Sequence, residues 1–187
     1  MRTLLLVLSL LAPIENLDAR VEQAVQAHRG GWLERPMRAA SDVGKPLVVV
    51  GTLLGVAVFD AAEGVAVARV ALVAAAVVNG VVEGLKRLTN RTRPDGESNP
   101  ANSSFPSSHA ANAFALATVL ARRWRRWAPL FWTGAVVVAA SRVYLDRHFL
   151  SDVVVGGLLG ASLALATARA MRWRIPVSPP PERVPSG

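Results

Sequence analysis

Five apolar runs divide the chain, and polar or charged residues separate each run from the next. The runs are residues 46–59, 65–82, 109–121, 129–141 and 153–168. A nearly uncharged apolar stretch of about 18 residues is typical of a membrane-spanning helix. Several runs are shorter than that, so we expect the polar segments at their ends to complete the helices inside a protein-lined cavity. The pattern predicts an all-α, polytopic membrane helix bundle.

The N-terminal region carries two further helical patterns. Residues 4–14 are apolar and follow Arg2, as in a signal peptide, but no A-x-A cleavage site comes after them. We therefore expect an uncleaved first span or a membrane-dipping helix. Residues 16–28 repeat apolar side chains at helical spacing, with Asn16 as the expected N-cap and a glycine pair as the end. Such a helix is expected to lie on the membrane surface.

These patterns define one domain and a tail. Residues 1–175 form a single predicted membrane domain with five or six spans, depending on the N-terminal run. Within it, residues 16–41 are expected to be amphipathic and interfacial. Residues 176–187 are rich in proline and are expected to be disordered.

Composition favours the membrane interpretation. The 187 residues are 52% hydrophobic, whereas ordinary domains have about 45–50%. The alternative is a soluble helical protein, but five apolar runs leave little amphipathic surface to face water in so short a chain. The absence of cysteine excludes disulfides and Cys-ligated metals.

The positive charge indicates which side of the membrane each loop occupies. The net charge is +8, and all but two of the 21 basic residues are arginine. These arginines lie between apolar runs and form no nucleic-acid motif, which argues against a nucleic-acid partner. The RRWRR segment at 122–126 and the arginines after residue 168 fall on one side if the runs alternate. Because positive loops stay cytoplasmic, the opposite loops are expected to face the periplasm or cell exterior.

Three polar clusters share that outer side, each at the end of an apolar run. They are KRLTNRTRP at 86–94, FPSSHAANAF at 105–114 and SRVYLDRHFLSD at 141–152. Together they supply fixed cations, two serines at a helix N-terminus, two histidines and a carboxylate four residues after the second histidine. Arginine forks and helix N-termini suit phosphate oxygens. One imidazole can attack phosphorus while the other protonates the leaving oxygen.

Each part of this pocket also has a purely structural interpretation. Lys86 and Arg93 can snorkel to lipid headgroups. The serines can be a simple cap, His109 a helix-end histidine, and His148 with Asp152 a structural pair. Four other charged residues are interpreted as solvated or lipid-facing: Arg87, Arg91, Asp146 and Arg147.

Taken together, the three clusters resemble the signature of the type-2 phosphatidic acid phosphatase superfamily, whose core is shared with vanadium haloperoxidases and bacterial acid phosphatases. The first motif, K-x6-R-P, matches Lys86, Arg93 and Pro94. The second, P-S-G-H, corresponds to residues 106–109. The third, S-R-x5-H-x3-D, is matched in order and spacing within residues 141–152.

The resemblance implies a fold, an activity and a role for each motif residue. The bundle would have the phosphatase/haloperoxidase-like helical core, and His148 would be the nucleophile that forms a phosphohistidine. Asp152 would orient it, and His109 would protonate the leaving alcohol. The phosphate would be held, without metal or other cofactor, by the remaining motif residues: Lys86, Arg93, Arg142, Ser107 and the Ser108 amide.

The chain departs from the motif at Ser108, where the family has glycine. If that position requires positive φ, a serine there costs about 1 kcal/mol. The backbone N–H that would face phosphate is retained.

The leading function is therefore an inner-membrane lipid phosphatase acting at the outer leaflet. Its expected partners are the bilayer and a lipid phosphate substrate: undecaprenyl diphosphate, phosphatidate or phosphatidylglycerol phosphate. The alternatives are a vanadate-dependent haloperoxidase, a non-catalytic protein that binds anionic lipid, and a metal site made of His109, His148 and Asp152. Nearby cations would repel a divalent ion from the last of these.

Overall fold

The computed structural model describes residues 2–60, 63–99 and 102–172, without the side chains of residues 2–12, 46 and 47. The described residues form seven α-helices, a 3-10 turn at Arg125–Trp127, and no strand. The helices are α1 Arg2–Ala27, α2 Gly31–Val43, α3 Pro46–Phe59, α4 Gly64–Thr89, α5 Ser108–Arg123, α6 Ala128–Tyr144 and α7 Leu150–Ala170. The all-α prediction is confirmed, and the five apolar runs fall on α3 to α7, one to a helix.

The N-terminal region corrects one prediction. The apolar run 4–14 and the amphipathic segment 16–28 belong to one continuous helix, α1, which passes through Pro13. Asn16 therefore lies inside a helix and is not an N-cap. Local cap and proline signals are weak compared with tertiary contacts, and here Asp18 is buried against the start of α7. The tail at 176–187 lies outside the described residues.

The core is formed mainly by α4 and α5. Residues Val67, Ala71, Ala74, Val78 and Val82 of α4 recur every three or four positions and are buried. This spacing places them on one face of the helix. They pack with the alanine-rich face of α5 and with the C-terminal half of α7. The same face of α4 ends at Lys86, so the helix carries that lysine into the interior.

Two glycines of α7 allow it to touch α5 closely. A Cβ at Gly156 would lie 2.5 Å from the Ser107 carbonyl oxygen, and one at Gly160 would lie 2.0 Å from the Ala111 carbonyl oxygen. Any side chain at these positions would push the helices apart. The contact fixes the N-terminus of α5, which carries Ser107 and His109, beside the first turns of α7.

The outer surface of the bundle is apolar, as a membrane protein requires. Exposed large apolar side chains occur on several helices, including Leu54, Val65, Leu72, Val136 and Leu158. By length and composition, two of the described helices can cross a membrane, α4 and α7. Residues 31–43 and 48–59, bent by 62°, can form a third span as a pair. The prediction of five or six spans counted apolar runs, whereas α3, α5 and α6 have only 14, 16 and 17 residues.

Candidate active site

The three polar clusters of the sequence meet at one end of the bundle. The Ser107 N–H donates to the Asp152 carbonyl oxygen at 3.0 Å, which joins the second cluster to the third. Arg93 Nη1 donates to the Arg147 carbonyl oxygen at 3.4 Å, which joins the first to the third. The charges of Arg93 and Arg142 also act on both imidazoles, His109 and His148.

His148 is held in one tautomer by the backbone. Its Nδ1 lies 2.7 Å from the Ser104 carbonyl oxygen. A carbonyl can only accept, so Nδ1 carries the proton and Nε2 keeps its lone pair. Asp152 Oδ2 is 3.7 Å from Nδ1, which is beyond hydrogen-bond distance. The resemblance implies that Asp152 orients His148. In the structure the two side chains are connected through Ser104, whose carbonyl oxygen accepts from His148 Nδ1 and whose hydroxyl donates to Asp152 Oδ2.

Burial keeps the His148 imidazole neutral. The side chain is 2% exposed, and loss of solvent lowers its pKa to about 4. The positive charges of Arg142 and Arg93 lower this pKa further, while the Asp152 carboxylate opposes the shift. At neutral pH, His148 is therefore an uncharged base.

Asp152 is fully buried and accepts hydrogen bonds from three sides. Besides the Ser104 hydroxyl, the Phe149 N–H donates to Oδ2 at 2.9 Å, and Arg91 Nη1 donates to Oδ1 at 2.6 Å. The Arg91 guanidinium also lies over the Phe149 ring, 4.3 Å from its centroid. These donors and the adjacent cation stabilise an ionised carboxylate in the interior.

The three predicted phosphate-binding cations are buried to similar degrees but are not equally free. Lys86 Nζ donates to the Ser103 carbonyl oxygen, and Arg93 donates to both the backbone and side-chain oxygens of Asn102. Arg142 Nη1 donates to the Ser41 hydroxyl, but its buried Nε has no hydrogen-bond partner among the described residues. An unpaired buried donor is costly, so Arg142 is ready to bind an anion.

The N-terminus of α5 shows whether position 108 requires a positive φ. Ser107 is the N-cap, and its hydroxyl accepts from the Ala110 N–H at 3.4 Å. Ser108 is the first helical residue and is not among the described residues with positive φ. The serine is therefore accommodated without backbone strain. The first N–H groups of the helix have no intrahelical partner and form a site for negative charge.

A cavity of about 690 Å³ opens beside His109 and Arg142. Its lining residues are Arg29, Arg38, Ser41, Asp42, Lys45, His109, Arg142, Leu145 and Arg147. Five of these carry positive charge and one carries negative charge, so the cavity favours an anion. His148, Lys86 and Arg93 are buried and are not part of this lining.

The sequence prediction missed a second layer of residues. Arg91 was interpreted as solvated or lipid-facing, which is wrong, since it bridges Asp152 to Asp18 of α1 through an Nη2–Oδ2 contact of 2.8 Å. Asp146 and Arg147, interpreted in the same way, form ion pairs with Arg29 and Asp95. Arg87 forms an exposed pair within α4, as expected of a solvated charge.

The residues around the site differ in whether the sequence could have revealed them. Arg91 lies inside the first motif, so its position is a signal that could have been used. Asp18 and Ser41 come from segments that matched no motif, and only the fold brings them to the site.

The metal alternative would place an ion among His109, His148 and Asp152. Within residues 2–60, 63–99 and 102–172, no group of three or more His, Asp or Glu side chains has the arrangement of a metal site. Both carboxylate oxygens of Asp152 are occupied by hydrogen-bond donors.

Two solved structures share this fold. One is described as the first transmembrane PAP2 type phosphatidylglycerolphosphate phosphatase from Bacillus subtilis, with a TM-score of 0.71 and 22% identity over 87% of this chain and 88% of that one. The other is Aquifex aeolicus LpxE, with a TM-score of 0.71 and 23% identity over 81% of this chain and 94% of that one. At these identities the likeness concerns the fold.

Curated relatives match a little under half of the chain. A lipid A 1-phosphatase of Porphyromonas gingivalis is 36% identical over 89 residues, which are 46% of this chain and 19% of the relative. A decaprenylphosphoryl-5-phosphoribose phosphatase of Mycobacterium tuberculosis is 36% identical over 93 residues, which are 46% of this chain and 51% of the relative. The chain thus spans from a fifth to half of the length of these relatives.

A family model matches a longer part of the chain. The model described as the PAP2 superfamily matches residues 67–176, more than half of the 187 residues and all three motifs. This match confirms the resemblance seen in the sequence, and the chain belongs to the PAP2 superfamily.

Proposed function

We propose that this protein is an integral membrane lipid phosphatase. It hydrolyses a lipid phosphate or diphosphate through a phosphohistidine intermediate on His148, without a metal ion. The observation that carries the proposal is the state of His148: the Ser104 carbonyl holds the proton on Nδ1, and the low pKa leaves the lone pair of Nε2 available at neutral pH.

The first half of the reaction forms a phosphorus–nitrogen bond. His148 Nε2 donates its lone pair to phosphorus, and the bond from phosphorus to the leaving oxygen breaks. His109, protonated beside the anionic substrate, gives its proton to that oxygen, which prevents the departure of an unstabilised anion. In the second half, His109 takes a proton from water, the resulting hydroxide attacks phosphorus, and inorganic phosphate leaves His148.

Positive charge around the phosphoryl group lowers the barrier of both steps. Lys86, Arg93 and Arg142 neutralise the equatorial oxygens, and Arg142 brings a buried Nε with no partner in the part of the chain that the structure describes. The Ser108 amide at the start of α5 and the Ser107 hydroxyl add further donors. Prearranged donors of this kind supply most of the rate acceleration in phosphoryl transfer.

The position of the arginines supports an outward site on a cytoplasmic membrane. The cavity lies at the N-terminal end of α5, whereas Arg123 at its C-terminal end pairs with Asp60 at 2.8 Å. The basic segment 122–126 is therefore at the opposite end of the bundle from the site. Since basic segments remain cytoplasmic, the site faces the periplasm or cell exterior. The relatives named for lipid A and decaprenylphosphoryl substrates are consistent with a lipid at this surface.

The proposal is tested by turnover of purified protein in detergent. We expect phosphate release from at least one of undecaprenyl diphosphate, phosphatidate and phosphatidylglycerol phosphate, undiminished by EDTA and inhibited by vanadate. Rapid quenching with labelled substrate should trap a protein-bound phosphate that is stable to alkali and labile to acid, as a phosphorus–nitrogen bond is. The His148→Ala variant should form none and lose turnover.

Three outcomes separate this proposal from its alternatives. Full turnover by His148→Ala would exclude the nucleophile. Activity that EDTA abolishes would favour a metal-dependent reaction. Binding to anionic vesicles with no turnover of any of the three lipids would favour the non-catalytic lipid-binding function, and bromination of a phenol with vanadate and peroxide would favour the haloperoxidase.

The orientation is tested separately by cysteine labelling, since the native chain has no cysteine. Ser98 and Arg126 are both exposed and lie at opposite ends of the bundle. An impermeant maleimide applied to intact cells, or to spheroplasts where an outer membrane is present, should label Ser98→Cys and not Arg126→Cys. The reverse pattern would place the site in the cytoplasm.

A further inference from the structure

Helix α2 is in direct contact with two of the proposed functional residues. The Ser41 hydroxyl accepts a hydrogen bond from Arg142 Nη1. At the end of the helix, a Cβ on Gly44 would lie 2.9 Å from His109 Cδ2 and 3.0 Å from Val138 Cγ1. The bare backbone of Gly44 therefore lets α2 pack against the His109 ring. The sequence patterns assigned no function to this helix.

The register of α2 brings two further cations to the same cavity. Arg38 precedes Ser41 by three residues, and Lys45 follows it by four, just beyond the end of the helix. Residues three apart share a helix face, so Arg38 lies on the same face of α2 as Ser41. Lys45 follows the Gly44 cap in extended backbone at the start of α3, and both cations line the cavity with Ser41 and Arg142.

These two cations are held only by exposed ion pairs with neighbours in sequence. Arg38 pairs with Glu34 within α2, and Lys45 pairs with Asp42 across the end of that helix, with both partners of each pair well exposed. Exposed pairs of this kind contribute little stability, so a ligand can replace the carboxylate at small cost. Arg29 and Arg147 are instead engaged across the fold by Asp146 and Asp95.

We propose that Arg38 and Lys45 form a second anion subsite beside Arg142 and His109, and that its ligand is the second phosphate of a diphosphate substrate. This proposal rests on the proposed phosphatase function and narrows the substrate class to lipids with two linked phosphates. The terminal phosphate would be attacked at His148, while the phosphate joined to the lipid would be bound by Arg38 and Lys45. A monophosphate would leave the subsite empty.

The test compares substrates that differ in one phosphate. Turnover of farnesyl phosphate and farnesyl diphosphate is measured with the native protein, with Arg38→Gln/Lys45→Gln, and with Arg87→Gln as the matched control. Arg87 also forms an exposed ion pair within one helix, but it does not line the cavity. We expect the double variant to lower kcat/KM for the diphosphate roughly 10- to 100-fold, the range of a lost charge-assisted contact. The monophosphate should change less than about threefold, because it leaves the subsite empty and exposed charges that do not contact the ligand are partly screened by salt.

A binding measurement separates this subsite from the phosphatase activity. Methylenediphosphonate has a bridge that cannot be hydrolysed, and methylphosphonate lacks the second anionic group. The native protein should bind the diphosphonate at least tenfold more tightly, and the double variant should lose this preference. If the preference is seen without any turnover, the subsite stands and the phosphatase proposal fails. Equal losses for both ligands and both substrates, or no loss for either, would overturn the subsite.

Discussion

Arg91 Nη1 lies 2.6 Å from Asp152 Oδ1, and Nη2 of the same guanidinium lies 2.8 Å from Asp18 Oδ2. One side chain thus connects the loop after α4 to the first turns of α7 and to α1. Ser151 adds to the connection, since its N–H and hydroxyl both donate to Asp18. Because Asp152 is fully buried, Arg91 is the neighbouring cation that keeps this carboxylate charged behind His148.

Replacement of Arg91 by alanine should reduce both stability and turnover. Removing one partner of a buried ion pair leaves an uncompensated charge, which costs about 3–5 kcal/mol for fully buried pairs. Because Arg91 is 28% exposed, we expect roughly 3 kcal/mol or less, measured as a lower Tm in detergent. As a positioning residue, Arg91 should affect kcat and leave KM within about twofold.

Two variants check this explanation. Arg91→Lys keeps the charge and should recover part of kcat, whereas a purely steric role would not. Arg87→Ala breaks an exposed pair on α4 and should change the free energy of unfolding by less than about 1 kcal/mol. Unchanged kcat in Arg91→Ala would show that the contact with Asp152 has no part in turnover.

Arg91 and the residues that define the motifs differ in how well the sequence predicted their positions, and this difference shows which parts of the structure a sequence can reveal. Apolar runs predicted α3 to α7 because a membrane helix is recognisable from its own residues. The motif spacing predicted which polar residues would gather, and the fold does gather them. Asp18 is 73 positions from Arg91 and 133 from Ser151, and no local pattern encodes such pairings. The same contacts explain why Asn16 is not a cap, since α1 is placed by its docking on α7.

Because α5 and α7 are in close contact, a single methyl group added at Gly160 should strongly lower stability and turnover. Gly160→Ala would place a Cβ 2.0 Å from the Ala111 carbonyl oxygen, and the helices must separate to accommodate it. Overpacking of this kind costs typically 1–3 kcal/mol. We expect a lower Tm and, because Ser107 and His109 move with α5, a lower kcat.

Gly84→Ala is the matched control for this substitution. No atom of the described residues lies within 4 Å of a Cβ at Gly84 on α4, and alanine is the better helix former by about 1 kcal/mol. This variant should keep its turnover and unfold at the same or a higher temperature. If Gly160→Ala behaved like Gly84→Ala, the α5–α7 contact would be looser than described.

The pKa of His148 sets the acid limit of the reaction. With a pKa of about 4, the imidazole is neutral at every pH well above that value, so His148 itself should not limit kcat/KM between pH 5 and 7. Below about pH 4 it becomes protonated and activity should fall. An unperturbed histidine, with a pKa of about 6.5, would instead limit activity throughout this range.

The Arg142→Gln variant tests the cause of this limit through the pH profile of its residual kcat/KM. The lost positive charge should raise the His148 pKa and move the acid limb upward, while the limb stays below pH 6.5 because burial is the larger cause. Each profile is scaled to its own maximum, so the general loss of phosphate binding does not affect the comparison. An acid limb that does not move would contradict the charge contribution.

Replacing Ser108 by the glycine that the family has at this position should change turnover and stability little. Ser108 begins α5 without positive φ, and its backbone N–H is present with either residue. We therefore expect Ser108→Gly to leave kcat/KM within about twofold and to lower stability by at most about 1 kcal/mol, the usual cost of glycine in a helix. Ser107→Ala provides the contrast, because it removes the acceptor of the Ala110 N–H and should cost about 1 kcal/mol as a lost N-cap. A several-fold gain in turnover by Ser108→Gly would mean that the serine side chain obstructs the phosphate.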